Sequence, residues 1–180
     1  MTAPKRRLVE RVLDDDYAAG LAGRALDQLR TMREECREGE NELSFERRLC
    51  HARIDILSAE LQRRTGSETG GLVERLPQIL GAEARGDTSL PLPERAPDYS
   101  VPRNADIPRR RVEEIVGEQT LARLAQLSVE EIKGIANSLA EHEREVSARR
   151  KRVQDVLDAI QEEIVRRYAS GEADPSAALG

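Results

Sequence analysis

The sequence predicts an all-α fold in which two long helices pair as an antiparallel coiled coil, with short accessory helices and a Pro/Gly-rich linker. Three observations carry this expectation. Apolar residues recur every seven positions over two stretches, Leu29, Cys36, Leu43, Cys50, Leu57 and Ile132, Leu139, Val146, Val153, Ile160, which is the spacing of a coiled-coil d line. Charged residues make up 35% of the chain and aromatics 2%, with no Trp; that composition suits long solvated helices rather than a core built on aromatics. Between the two stretches, five prolines fall from Pro91 to Pro108, a density that marks extended chain.

Residues 1–23 form an N-terminal segment with a short helix. Leu8, Val9, Val12 and Leu13 give it an apolar strip, and its length requires something to dock on. Asp14, Asp15 and Asp16 read as a helix N-cap rather than a metal cluster, because three adjacent carboxylates do not face one ion. Gly20 and Gly23 then weaken helix.

Residues 24–65 form the first long helix. Its a line is Leu26, Arg33, Glu40, Arg47, Ile54 and Leu61, apolar at the ends and charged in the middle. Gly39 costs about 1 kcal/mol against Ala, and Gly66 offers a C-cap.

Residues 66–127 are a linker with short helices. A helical turn or two is expected at Leu72 to Leu80, interrupted by Pro77. Extended chain is expected from Gly81 to Pro108, and short helices from Val112 to Leu127 with Leu121, Leu124 and Leu127 as an apolar edge. Arg109, Arg110 and Arg111, followed at once by Glu113 and Glu114, read as a solvated helix start. Residues 128–169 form the second long helix, opened by a capping box with Glu131 three residues after Ser128. Its a line is Val129, Ala136, Glu143, Arg150, Leu157 and Ile164. Residues 170–180 are expected to be a disordered tail.

The two long helices superimpose with an offset of 103 residues, which aligns Leu29 with Ile132 and Leu61 with Ile164. In both copies the mid-helix a positions are polar. Glu40, Ser44, Arg47, His51 and Asp55 in the first match Glu143, Ser147, Arg150, Gln154 and Asp158 in the second. At about 100° per residue each set falls on a stripe roughly 80° wide. One polar seam residue ordinarily sets register, but ten are more than register needs, and each costs free energy if buried unsatisfied.

The stripe chemistry suits a guanine nucleotide. Arg matches guanine O6 and N7, or a phosphate, in bidentate fashion. A carboxylate accepts from guanine N1–H and N2–H₂, and Glu beside Arg fixes the guanidinium. Two copies point to a symmetric guanine dinucleotide.

The duplicated Glu-x₃-Ser-x₂-Arg-x₃-Gln-x₃-Asp pattern, with Leu43-Ser44-Phe45-Glu46-Arg47-Arg48-Leu49 and Ile54-Asp55-Ile56-Leu57 around the first copy, resembles the RsiG family, cyclic-di-GMP-responsive anti-sigma factors of sporulating actinobacteria. The resemblance covers both helices. It implies an antiparallel coiled coil that binds cyclic di-GMP, as a dimer, along the ten stripe residues. It also implies that the loaded form sequesters a WhiG-type sigma factor and so controls sporulation genes. The expected linkage is that a dianionic ligand neutralises Arg47 and Arg150, letting stripes that otherwise repel or stay hydrated close. His51 departs from the pattern, standing where the family has Gln. An imidazole donates or accepts but does not do both jobs of an amide at once. His51 is either a pH-sensitive contact near pH 6.5 or a neighbour without direct contact. The rival reading is a structural or regulatory coiled coil whose polar seam only sets register.

Other classes find no support in the residues. No Ser-His-Asp, P-loop or paired-carboxylate arrangement stands out, so no enzyme is expected. Cys36 and Cys50 lack zinc or redox spacing and read as small buried hydrophobes. His142 sits beside the seam without a partner of metal-ligand spacing, so no metal is expected. A net charge of −5 disfavours direct nucleic-acid binding. The chain has neither a membrane-length apolar run nor a signal-peptide core, which predicts a cytoplasmic protein without membrane contact. The apolar strips at 8–13 and 112–127 either pack beside the coiled coil or meet the sigma factor; sequence leaves both open.

Overall fold

The computed structural model describes residues 7–66 and 100–172, and every regular element among them is helical. In chain order these are α1 (Leu8–Val12), a 3₁₀ turn (Leu21–Gly23), α2 (Leu26–Arg64), α3 (Asp106–Ile115), α4 (Glu118–Ala122), a second 3₁₀ turn (Leu124–Gln126) and α5 (Val129–Ala169). The expectations for Leu72 to Leu80, for the extended chain over residues 81–99 and for the tail beyond residue 172 lie outside the described residues.

The chain divides into two compact units, Met1–Leu43 with Ala148–Gly180, and Ser44–Ser147. Each holds one half of α2 and one half of α5, running antiparallel. In the first unit Arg30 donates to the Tyr168 hydroxyl at 2.6 Å and Arg150 to Glu40 at 2.9 Å. As numbers rise along α2 they fall along α5. In the second unit Arg47 meets Glu143 at 3.0 Å, and Arg64 reaches the carbonyl of Leu127, just before α5.

The apolar seam is the d line. Leu29, Cys36, Leu43, Cys50, Leu57, Ile132, Leu139, Val146, Val153 and Ile160 are each at most 1% exposed. Burying a side chain of this size stabilises by roughly 1.5–3 kcal/mol. Burial pushes the thiols of Cys36 and Cys50 up to about 12, so both stay protonated and pack as hydrophobes.

Accessory contacts fall on the positions flanking the seam. In the first unit α1 buries Val9 and Val12. Val9 lies over Gly39: a Cβ added there would sit 3.7 Å from Val9 Cγ2. Arg11 pairs with Glu35 at 2.5 Å, and the Tyr17 hydroxyl donates to the same carboxylate at 2.7 Å. In the second unit Val112, Val116 and Leu124 join Cys50, Leu57, Ile132 and Leu139 in one core cluster. The apolar strips thus pack beside the long helices.

The repeat extends beyond the long helices. At the same offset of 103, Val9 corresponds to Val112, the turn Leu21–Gly23 to Leu124–Gln126, and Glu60, Arg63, Arg64 to Glu163, Arg166, Arg167. The last triad is a clamp used twice. Arg64 is held by Glu60 at 2.7 Å and donates to the carbonyls of Leu124 and Leu127. Arg167 is held by Glu163 at 2.7 Å and donates to the carbonyls of Leu21, Ala22 and Arg24. In each case the guanidinium fork gathers the carbonyls around a 3₁₀ turn, adding to the backbone N–H bonds that Leu21 and Leu124 already accept from Arg24 and Leu127.

Several local expectations need correction. Asp14 to Asp16 open a turn rather than a helix, with Asp16 N–H donating to Asp14 Oδ1 at 3.3 Å. Residues 106–108 belong to α3 instead of extended chain; Pro108 lies in its first turn, where no amide donor is needed. The capping box forms, with Ser128 N–H donating to Glu131 at 2.7 Å and Glu131 N–H to Ser128 Oγ at 3.2 Å. Gly66, with φ +70°, ends α2 in the left-handed region.

Candidate functional site

The heptad explains how the stripe residues are displayed. With Leu29 as d, Glu40, Arg47, Glu143 and Arg150 are a positions, Ser44, His51, Ser147 and Gln154 are e, and Asp55 and Asp158 are b. The stripe therefore leaves the seam on its e side, while α1 and α3 pack on g positions such as Gly39 and Glu46.

In the second unit, one oxygen of Glu143 gathers three donors: Arg47 Nε at 3.0 Å, His51 Nε2 at 3.1 Å and Ser147 Oγ at 2.7 Å. Burial raises the Glu143 carboxyl, but hydrogen bonds from Ser147, His51 and Arg47 outweigh it and hold the group below its ordinary value. Glu143 is therefore a carboxylate, and His51 Nε2 carries the proton toward it. Ser44 and Asp55 are half-buried on the same face of α2.

The first unit builds the matching cluster. Glu40 Oε1 accepts from Arg150 Nε at 2.9 Å and from Gln154 Nε2 at 3.2 Å. Asp158, one turn beyond Gln154, is exposed. Each Glu thus holds the Arg of the opposite helix and the residue four places after that Arg. His51 occupies the geometric place of Gln154, one N–H donor replacing another. The structure brings Glu40, Arg150 and Gln154 together in one unit and Glu143, Ser147, Arg47 and His51 in the other.

This corrects the expected electrostatics. Arg47 and Arg150 are already paired with carboxylates across the helix pair, so the stripes attract rather than repel. The guanidinium groups remain accessible, with Arg47 41% and Arg150 31% exposed at the side chain. Each uses Nε toward its glutamate, the geometry that orients a planar fork for a second acceptor.

Sequence reasoning missed a second charged centre. Glu46 is fully buried. Its Oε1 accepts from His142 Nε2 at 2.9 Å and its Oε2 from Arg111 Nη1 at 3.3 Å. Arg111 is therefore not a solvated helix start, and the residue His142 meets is the carboxylate of Glu46. No spacing signals this, because the three residues come from three helices. On α5, Lys151 pairs with Asp155 at 2.8 Å, and Arg152 reaches the Leu13 carbonyl at 3.0 Å. Among the described residues no group of His, Cys, Asp or Glu is placed to hold a metal ion, and no helix is long and apolar enough to cross a membrane.

Comparison with known proteins gives one family. The sequence pattern of the RsiG-like family matches residues 15–80 and 118–179, which takes in both stripes and both Glu-Arg clamps. No curated protein matches the chain significantly.

Proposed function

The chain belongs to the RsiG-like family, and from that premise we propose that it is an anti-sigma factor controlled by cyclic di-GMP. A regulatory anti-sigma role in the broad sense goes with the family. The proposal adds the ligand, the ten stripe residues as its site, and a WhiG-type sigma factor as the protein bound in the loaded state, with sporulation genes as the output.

The observation that carries the ligand reading is the crossed pairing, made twice, in which a glutamate holds the opposite helix's arginine by Nε and a neighbouring donor by the same oxygen. An arginine held this way presents a planar donor fork whose geometry matches a guanine or a phosphate. Asp55 and Asp158, at the end of each stripe, are acceptors for the N1–H and N2–H₂ edge of guanine. The ligand phosphates compete with Glu143 and Glu40 for guanidinium charge. Binding is then an exchange of partners in a site already shaped, which lowers the ordering cost. Coupling to a sigma factor follows by linkage, the ligand favouring the arrangement to which the partner binds.

The reading in which the stripe only fixes register draws support from the same pairs. Each carboxylate is satisfied from the other helix, as a register device requires. Calorimetric titration with cyclic di-GMP, beside GTP and cyclic di-AMP, separates the two. The ligand reading expects selective binding, abolished by Arg47→Ala and by Arg150→Ala without loss of helicity. Absence of binding both alone and with a WhiG-type sigma factor in the cell leaves the register reading.

A further inference from the structure

We propose that Glu46 is a positioning residue for the Arg47–Glu143 pair, acting through His142 and Arg111; this deepens the cyclic di-GMP reading above and, for its effect on affinity, rests on it. A buried carboxylate is costly unless paired. Glu46 has each oxygen assigned to a donor from a different helix, His142 on α5 and Arg111 on α3. Three elements therefore meet at one side chain.

The residue after Glu46 is Arg47, and the residue after His142 is Glu143. Two cross-helix contacts consequently join the same turn of the same helix pair, Glu46 to His142 at 2.9 Å and Arg47 to Glu143 at 3.0 Å. They occupy adjacent rows about 100° apart around each helix. One contact leaves the helices free to roll about it. Two contacts on adjacent rows fix the roll, and with it the direction in which the Arg47 guanidinium faces. Arg111 adds a third hold from α3, so the docking of that helix bears on the same angle.

The duplicate shows that the shared fold does not require this centre. At the offset of 103 the counterparts of Glu46 and His142 are Arg149 and Gly39. Glycine makes no side-chain contact, and Val9 packs over it. The buried triad is an addition to the unit whose cluster carries His51.

The test replaces the charges together, as Glu46→Leu, Arg111→Met and His142→Leu in the full chain. Replacing a buried ionic set by apolar groups of similar volume commonly preserves stability, so a purely structural triad predicts native behaviour. The positioning role predicts an unchanged melting temperature, a roughly tenfold loss of cyclic di-GMP affinity, and faster solvent exchange of the Arg47 Nε–H measured by NMR. His142→Gln, which keeps a donor toward Glu46, should bind within about threefold of the native protein, and His142→Leu should not. If the triple variant does not fold, that last pair carries the same comparison. Native affinity together with native Arg47 Nε–H exchange in the folded variants overturns the proposal. If the native protein binds no cyclic di-GMP either alone or with a WhiG-type sigma factor, the ligand reading fails and the exchange rate alone decides the positioning role.

Discussion

The two units solve one docking problem by different chemistry. In the first, α1 lies on the g side of α2 through Val9 over Gly39. In the second, α3 lies on the g side of its own α2 segment with Arg111 directed at buried Glu46. The duplicated helix supplies equivalent slots, and the substituents at Gly39, Glu46, His142 and Arg149 decide whether a slot is closed by packing or by charge. Apolar packing tolerates trimming by degrees, because each methyl removed costs its own share. A buried ion set is less forgiving of partial loss, since removing one member leaves the others uncompensated.

That contrast sets the order of expected effects. Arg111→Met, which leaves Glu46 with His142 alone, should lower unfolding free energy by roughly 3 kcal/mol in denaturant titration, and adding Glu46→Leu and His142→Leu should restore it. Val9→Ala, the corresponding insult to α1, should cost only about 1–2 kcal/mol, with no second-site change that restores it by removing charge. Equal costs for Arg111→Met and Val9→Ala would erase the distinction.

Acid provides a further comparison. Hydrogen bonds from Arg63, opposed by burial and reinforced by Arg64, hold the Glu60 carboxyl down to about 2, and Glu143 is also lowered. A carboxylate with a depressed folded-state value contributes stability above its unfolded value, near 4.3. That contribution is lost as pH falls through the folded value. Thermal stability should therefore drop between about pH 4.5 and 2, and Glu60→Gln should flatten the drop. The smallest effect belongs to Gly39→Ala. The added methyl would meet Val9 at 3.7 Å, an ordinary contact, so the helix-propensity gain should stabilise by about 0.5–1 kcal/mol. A loss of stability would show that the α1 slot is tighter than its packing distance states.

The fold was legible where a residue's neighbours are set by its own helix. The period of Leu29 to Leu57 and of Ile132 to Ile160 encodes the seam, and those residues are the ones buried. Ser128 and Glu131 encode their cap within four residues. The stripe was legible as a face for the same reason. Its cross-helix pairing was not, because the spacing along one helix does not say which residue of the other helix each glutamate meets, and each takes the arginine of the opposite helix. Glu46, Arg111 and His142 carry no periodic mark. The clamp was readable in principle, since Glu60, Arg63, Arg64 and Glu163, Arg166, Arg167 repeat at the offset that aligns the stripes. Attention to the apolar line alone passes over it.

The division of the chain also bears on the order in which it can fold during synthesis. The unit of residues 44–147 is continuous in sequence, whereas its companion joins residues 1–43 to residues 148–180. A growing chain has every residue of the continuous unit once Ser147 has left the ribosome. The N-terminal segment, synthesised first, must wait for the last helix turns before Arg150 can reach Glu40 or Arg167 can take the carbonyls of Leu21 and Ala22. The buried seam residues Leu29 and Cys36 therefore emerge long before the part of α5 in their own unit, and theirs is the stretch where a nascent chain most needs protection from association.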